Sequence, residues 1–532
     1  MASTTNDGLP PQPSVPLVTA TSSQAAQLGW TSRRRLAVAT TAALIWGFTR
    51  AGVDNQILNV GGWSSFSRFW RALVNPELAG DFLRLTWDAT VTTLSFAVLG
   101  SVLSLLLGAI GAVGLSELFA GRGMLWRSVR ALLVIPRAIH EILWALLLVQ
   151  VLGFDPLVAV LAIAIPFGAV TAKVFAETFD EADRAPFLAL RASGANRVQA
   201  FAYGVLPSVR GDLVSYAFYR FECAIRSAAV LGVIGVGGLG FQLDLSFETL
   251  RYGEIWTLIA ALMLLSGGAE AMSTRVRSSR SRLATKATIG LLLVLIPLSV
   301  NWSGIDPRSL WSARTVSLAR SFGNRIFPPR LGPDGWGELV SASIDTIAMS
   351  VLATALAATM GLALALLSRG SGSSLRSFLI RLCLLLTRAV PAPIWAFLFV
   401  LILFPGIWPG VVGLAVYNIG VLGRLFAETI DEADDRPTAA LAAIGATPTQ
   451  RFFYGLLPTT APRLLALALY RWEVIVRETV VVGVVGAGGL GQLINEHLAA
   501  RDFAAVLGAL GAMVVIALCL DALSATARTA LR

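Results

Sequence analysis

The sequence predicts an all-α integral membrane protein made of two homologous six-helix halves, and three observations carry that prediction. The first is composition. Of 532 residues, 55% are hydrophobic and only 14% charged, with a mean hydropathy of +0.71, which excludes an ordinary soluble domain. The second is the recurrence of apolar runs near the roughly 20 residues that a helix needs to cross a bilayer. The third is an internal repeat. Glu177-Thr178-Phe179-Asp180-Glu181-Ala182-Asp183, then Gly194-Ala195 and Leu206-Pro207, return as Glu428-Thr429-Ile430-Asp431-Glu432-Ala433-Asp434, Gly445-Ala446 and Leu457-Pro458. The offset is 251 throughout (428 minus 177, 458 minus 207). That is a duplicated domain, since solenoid units recur at roughly 20–50 residues.

Taken in order, residues 1–30 are rich in Pro, Ser, Thr and Gln and read as a disordered cytoplasmic tail. Arg33-Arg34-Arg35 precedes the apolar run 36–48, which reads as an uncleaved first span with its amino end inside. Residues 51–87 carry Trp63, Trp70 and Trp87 and suit an external or interfacial segment. A span over about 89–115 leads to a basic connection at Arg122, Arg127 and Arg130. Spans three and four, roughly 131–152 and 156–173, are split by the turn signal Gly153-Phe154-Asp155-Pro156. Spans five and six cover roughly 211–234 and 254–271.

The first domain is thus 31–272, and 273–286 is a basic linker with Arg275, Arg277, Arg280, Arg282 and Lys286. The second domain, 287–532, repeats the order at 287–300, 342–367, 382–404, 408–425, 460–485 and 503–522, giving about twelve helices. The net charge of +10 is almost all arginine, because lysine occurs only at 173 and 286. These cations sit between spans, so the positive-inside rule accounts for them better than a nucleic-acid partner. All basic clusters then fall on one side. Both termini are expected in the cytoplasm of a multi-pass cell-membrane protein, with the halves related by an axis along the membrane normal. Thiol labelling from outside should reach sites near Trp63 and Gly335 but not near Arg191 or Arg280.

The polar stretches cannot be spans, since an unpaired carboxylate at the centre of a membrane helix costs roughly 2.5–3.5 kcal/mol. Glu177 and Glu181 are four apart and share a helical face with Arg184. Gly194 should break that helix, and 196–205 should form a second short one stopped by Pro207. Each half therefore presents a helix–Gly–helix knuckle.

At these residues the chain resembles a known family. Glu-x-x-Asp-Glu-Ala followed by Gly-Ala and Leu-Pro is similar to the coupling loop of permeases in binding-protein-dependent ABC importers. Downstream, Tyr219-Arg220-Phe221-Glu222, Ile225-Arg226 and Val230 through Gly240 resemble the phosphonate-importer permeases, and Tyr470-Arg471-Trp472-Glu473, Val476-Arg477 and Val484 through Gly491 repeat the likeness. Arg137-Ala138-Ile139-His140-Glu141 resembles that family's Arg-Ala-Ile-Pro-Glu with His140 in place of proline; Arg388-Ala389-Val390-Pro391-Ala392 keeps the proline and loses the acid. The resemblance implies a type I importer fold with two permease protomers in one chain. It also implies coupling to ATPase subunits, one at each knuckle, through Glu177, Glu181, Ala182, Gly194 and Pro207 and through Glu428, Glu432, Ala433, Gly445 and Pro458. An external substrate-binding protein would deliver a phosphonate or related oxyanion.

The residues set limits on other readings. Gly235-Val236-Gly237-Gly238-Leu239-Gly240 fits a dinucleotide fingerprint, but it follows a membrane-length apolar run rather than a strand. Close helix packing or an irregular bend is the expectation. A phosphate-binding P-loop needs Gly directly before Lys, and the two lysines follow Ala172 and Thr285. The chain is therefore expected to be no enzyme and to hold no cofactor, with ATP and magnesium bound by a partner. Cys223, Cys383 and Cys519 show no metal or disulfide spacing, and His140 and His497 have no partner histidine at ligand spacing.

Charges at span depth are the candidate substrate path: Arg137, Glu141, Arg220, Glu222, Arg226, Arg388, Arg471, Glu473 and Arg477. Glu222 with Arg226 and Glu473 with Arg477 can close i,i+4 pairs that either line a path or lock helices. Guanidiniums suit an oxyanion because they offer parallel N–H donors. With Glu141 four residues from Arg137 and Ala392 at the matching place, Arg388 is expected to matter more than Arg137. Import of another solute, or an ion-coupled secondary transporter with repeats, are the alternatives.

Overall fold

A computed structural model describes residues 38, 41–52, 57–121, 123–278, 282–333, 335–368 and 375–531. The expected tail, Arg33–Arg35 and Arg280 lie outside the described residues. No strand of two or more residues forms among the described residues.

The order of the main helices is α1 (Trp63–Arg71), α2 (Gly80–Leu115), α3 (Met124–Ala138), α4 (Glu141–Leu152), α5 (Leu157–Glu181), α6 (Ala185–Ala192), α7 (Leu206–Leu231), α8 (Gly238–Glu248) and α9 (Tyr252–Ser278). Then follow α10 (Arg282–Ser303), α11 (Ala313–Ile326), α12 (Gly335–Ser368), α13 (Leu375–Ala389), α14 (Ala392–Val400), α15 (Ile407–Asp431), α16 (Arg436–Ala443), α17 (Leu457–Val484), α18 (Gly489–Ala499) and α19 (Phe503–Leu531). The offset of 251 read from the polar stretches holds helix by helix: α3 and α13, α6 and α16, and α8 and α18 match at both ends.

Long apolar helices form because a bilayer offers the backbone no outside hydrogen-bond partners, so its N–H and C=O groups are satisfied within the helix; their pairing is set by small residues. On α2, Gly100 lies so close to Ile163, and Gly108 to Thr171, that an added Cβ would sit 2.9 and 2.4 Å from those side chains. On α12, Gly361 faces Gly423 in the same way. Such stripes let membrane helices approach backbone to backbone.

The expected third and ninth spans are not continuous. The chain turns by 91° between α3 and α4 and by 92° between α13 and α14. In the second half Pro391 causes the break, because proline has no N–H and cannot extend the preceding helix. In the first half His140 does the same work as an N-cap: its backbone is extended and its Nδ1 accepts the N–H of Ile142. Among the described residues, seven helices are long and apolar enough to cross a membrane, or up to ten if each bent pair is one span. The two other expected spans fall on 36–48, partly outside the described residues, and on α10, whose apolar part is Leu293–Ser303.

Pro207 also differs from expectation. It does not stop a helix; it sits in the first turn of α7, where its missing N–H costs nothing. The short turn Arg197–Ala200 runs through a π-helical stretch, Phe201–Val205, directly into α7.

The bent arms interlock the halves. On the α4 side, Ile139, Ile142 and Leu143 share a core with Val476, Val480, Leu490 and Val506 of the second half. Ile394, Trp395 and Leu398 of α14 pack with Leu239, Leu243 and Trp256 of the first. The glycine-rich stretches support this packing. An added Cβ on Gly240 would lie 1.8 Å from the Ala229 carbonyl oxygen, and one on Gly491 2.3 Å from that of Val480. Gly235, Gly237 and Gly238 all have positive φ at the 56° bend between α7 and α8. The fingerprint is thus a tight bend between helices, as expected.

Candidate functional site

Between the interlocked halves lies a cavity of about 360 Å³, lined by seven arginines and four glutamates along with aromatic and aliphatic side chains. Eight of the nine candidate path residues, Arg137, Glu141, Arg220, Glu222, Arg226, Arg388, Arg471 and Arg477, are on its wall. Glu473 is not; Glu478, Arg424 and Glu428 are.

The arginines are held in different ways. Arg220 lies over the rings of Phe167, Tyr216 and Tyr219 at 4.8, 5.1 and 5.8 Å, and its Nε donates to the Tyr216 hydroxyl at 2.7 Å. The ring faces attract the cation without cancelling its charge. Arg471, its counterpart, donates to Glu478 and to Asn418 Oδ1. Asn418 also donates to Glu478 at 3.0 Å, so that cation is fully absorbed in a polar cluster. Arg226 pairs with Glu222 at 3.5 Å, as the spacing suggested. Arg477 instead donates to the Arg137 carbonyl at 2.8 Å, joining the halves.

Two expectations about Arg137 and Arg388 are overturned. Glu141 does not temper Arg137: it accepts from Ser227 Oγ at 2.6 Å and faces His140 Nδ1 at 3.3 Å. Arg388 is the neutralised member, paired with Glu270 of α9. The same carboxylate takes Arg424, which also donates to Glu428 at 2.8 Å. Glu141 sits at the start of α4, where the bend turns it away from Arg137, so the i,i+4 geometry of an unbroken helix does not apply.

The knuckles follow from local sequence. In the first, α5 ends at Glu181 and Ala182 is extended. Asp180 accepts from Ser116 Oγ at 2.8 Å and from the N–H groups of Glu117 and Leu118, fixing the knuckle to the end of α2. Gly194 at φ +90° makes the turn that an L side chain would strain. Asn196 and Gln199 then form a capping box. The second copy matches it with Gly445 at φ +82° and a Thr447–Gln450 box. Arg184 approaches Glu117 at 4.0 Å rather than Glu181, and Lys173 is 3.7 Å from Glu177. Glu432 pairs with Arg463 at 3.0 Å. Asp434 is held below the usual carboxylate range by the Arg436 side chain and its backbone N–H.

Each knuckle exposes large apolar groups: Leu188, Val198 and Tyr203 on the first, Ile444, Phe453 and Tyr454 on the second. Pro186 and Pro437 start α6 and α16. Ala182, Gly194, Ala433 and Gly445 sit at the turns, and Pro207 and Pro458 lie at the roots of α7 and α17. Cys223 is on the cavity wall, while Cys383 and Cys519 are exposed on the helices. His497 is buried in packing beside Gly332. Glu270, Arg424, Asn418 and Glu478 were missed by sequence reasoning. An isolated acid at 270 within an apolar helix was the available signal.

A duplicated bundle of membrane-length helices with an arginine-rich cavity between its halves and two exposed knuckles has the architecture of a membrane transport subunit. The chain belongs to the family described as binding-protein-dependent transport system inner membrane component, whose model matches residues 104–271 and 347–530, once in each half. It is 30% identical to the phosphate-import permease protein PhnE of Mycolicibacterium smegmatis over 80% of this chain and 81% of that one. The phosphite transport system permease protein PtxC of Stutzerimonas stutzeri is 33% identical over 40% of this chain and 77% of its own. An Escherichia coli chain named for cryptic phosphonate transport, PhnE2, is 33% identical over 22% of this chain and 96% of its own. The chain is thus a multi-pass ABC importer permease with two permease domains fused.

Proposed function

We propose that the chain passes phosphonate or a related phosphorus oxyanion through the cavity between its halves. The observation that carries this reading is the charge of the wall: seven arginines against four glutamates, or five when Glu270 is added. A surplus of desolvated guanidiniums is costly without an anion. Among the described residues, Arg137, Arg220 and Arg477 have no carboxylate within 4.0 Å. Their planar donors suit two oxygens of one phosphorus centre. The relatives' named substrates, phosphate, phosphite and phosphonate, share that chemistry.

The knuckles dock on two ATPase subunits in the cytoplasm, where both termini also lie, and an external binding protein supplies the substrate. The exposed apolar and acidic groups of each knuckle support this role. The test is uptake by sealed vesicles holding the chain with its partner ATPase and binding protein. ATP-dependent uptake of methylphosphonate, phosphite or phosphate is expected. Equal uptake of an uncharged solute, or uptake driven by an ion gradient without ATP, would sink the reading. Outside labelling of Arg191→Cys would sink the orientation.

A further inference from the structure

We propose that Glu270 is a tethered stand-in for the transported oxyanion: its carboxylate holds Arg388 and Arg424 at rest, and an arriving oxyanion takes its place. The inference rests on the reading that an oxyanion crosses the cavity, and adds how the path is kept closed.

The geometry is specific. Glu270 belongs to α9 of the first half, and its two partners belong to α13 and α15 of the second. Oε2 serves Arg388 and Oε1 serves Arg424, one oxygen for each guanidinium. An oxyanion with several oxygens on one centre can satisfy the same pair, whereas chloride, with a single centre, cannot bridge it in that way. Both arginines line the cavity, so they are reachable from it. Their side chains are 13% and 28% exposed, so each needs a counter-charge. Exchange of one anion for another meets that need at every stage, which simple opening would not.

The bridge also reaches the coupling machinery. Arg424 holds Glu428, the first acid of the second knuckle, so moving Glu270 off Arg424 changes the anchoring of that knuckle. Among the described residues, the matching positions form no such bridge. Asp521 stands where Glu270 has its counterpart, Lys173 replaces Arg424 and pairs with Glu177, and Arg137 is open to the cavity. One anion position is therefore filled by the chain itself and the other is left free.

Cys223 supplies the probe, being on the cavity wall with its Sγ 3.6 Å from Arg226. In a Cys383→Ser/Cys519→Ser background, the assembled transporter in membrane vesicles is treated with a small methanethiosulfonate. The methylphosphonate concentration that halves the rate of Cys223 modification is measured, with inorganic phosphate and glycerol in parallel. A site filled about nine-tenths of the time by its own carboxylate binds about tenfold more weakly than the open site. Glu270→Gln should lower the midpoint by about that factor, and Glu270→Asp, which reaches only one guanidinium, by less. Adding Arg388→Gln to Glu270→Gln should remove the gain. An unchanged or raised midpoint in folded Glu270→Gln overturns the proposal. If that variant does not accumulate, an unchanged midpoint in Glu270→Asp does so. Absence of protection by either anion in the parent overturns the oxyanion path itself, and the stand-in with it.

Discussion

Arg220 and Arg471 occupy the same place in the two halves, yet one keeps its charge available and the other does not. The difference lies in two neighbouring positions at the same offset. Phe167 of the first half corresponds to Asn418 of the second, and Ser227 to Glu478. Phe167 offers Arg220 a ring face, while Asn418 and Glu478 bind Arg471 outright. A symmetric homodimer of separate chains could not do this, because each substitution would appear on both sides. Fusion lets one copy leave its arginine charge open to the cavity while the other uses the matching arginine to tie its own helices α15 and α17 together.

The largest expected effect follows from that division. Arg220→Ala should leave folded protein while lowering uptake more than about tenfold, the loss of a charge-assisted contact worth roughly 1.5–3 kcal/mol. Arg471→Ala should instead reduce the folded yield, because it strands Glu478, 11% exposed, at a cost of about 3–5 kcal/mol. Arg471→Met with Glu478→Gln should recover the yield. Yield and size-exclusion profile, read beside uptake, separate the two roles; a well-folded, transport-dead Arg471→Ala would show that the division is wrong.

A smaller contrast separates Arg137 from Arg388. Arg137 faces the cavity without a carboxylate in reach among the described residues, and Arg388 is already paired with Glu270. Arg137→Ala should therefore raise the apparent KM for uptake several-fold, and Lys should rescue only partly because it loses the planar fork. The same change at Arg388 frees Glu270 to stay on Arg424 and should alter KM less. Titrating uptake against substrate concentration decides it, and equal KM shifts would make the halves equivalent here.

What the sequence revealed, and what it hid, divides along chain distance. The knuckles were legible because each is built from neighbours: a Gly at positive φ, a capping box and a proline in a first turn all act within a few residues. The duplication was legible for the same reason. The pairings in the cavity were not. Glu270 meets Arg388 across 118 residues, and Arg477 meets the Arg137 carbonyl across 340. No spacing rule connects such residues, and the i,i+4 argument for Glu141 failed because the helix bends before it. Pro391 marked one of those bends plainly, but hydropathy alone counted the run as one span.

The smallest expected effect concerns the knuckles, where the same comparison holds in weaker form. Glu432 is paired with Arg463, their side chains 63% and 62% exposed, whereas Glu181 has no cation within 4.0 Å among the described residues. A pair that open to solvent is worth about 0–1 kcal/mol, so it orients Glu432 more than it stabilises the fold. Glu181 is therefore the more available acid for a basic partner surface, and Glu432 must first leave Arg463. Reversing Glu181 to Lys should weaken co-purification of the ATPase more than Glu432→Lys does, and the double reversal should abolish transport. Arg463→Ala should strengthen the contribution of Glu432 slightly, by releasing it. Co-purified ATPase is measured at low and at high salt, since exposed charges are screened beyond a Debye length of about 8–10 Å near physiological ionic strength. Recovery that is insensitive to both reversals at low salt would remove the acids from docking and leave the exposed apolar groups around Tyr203 and Tyr454 to carry it.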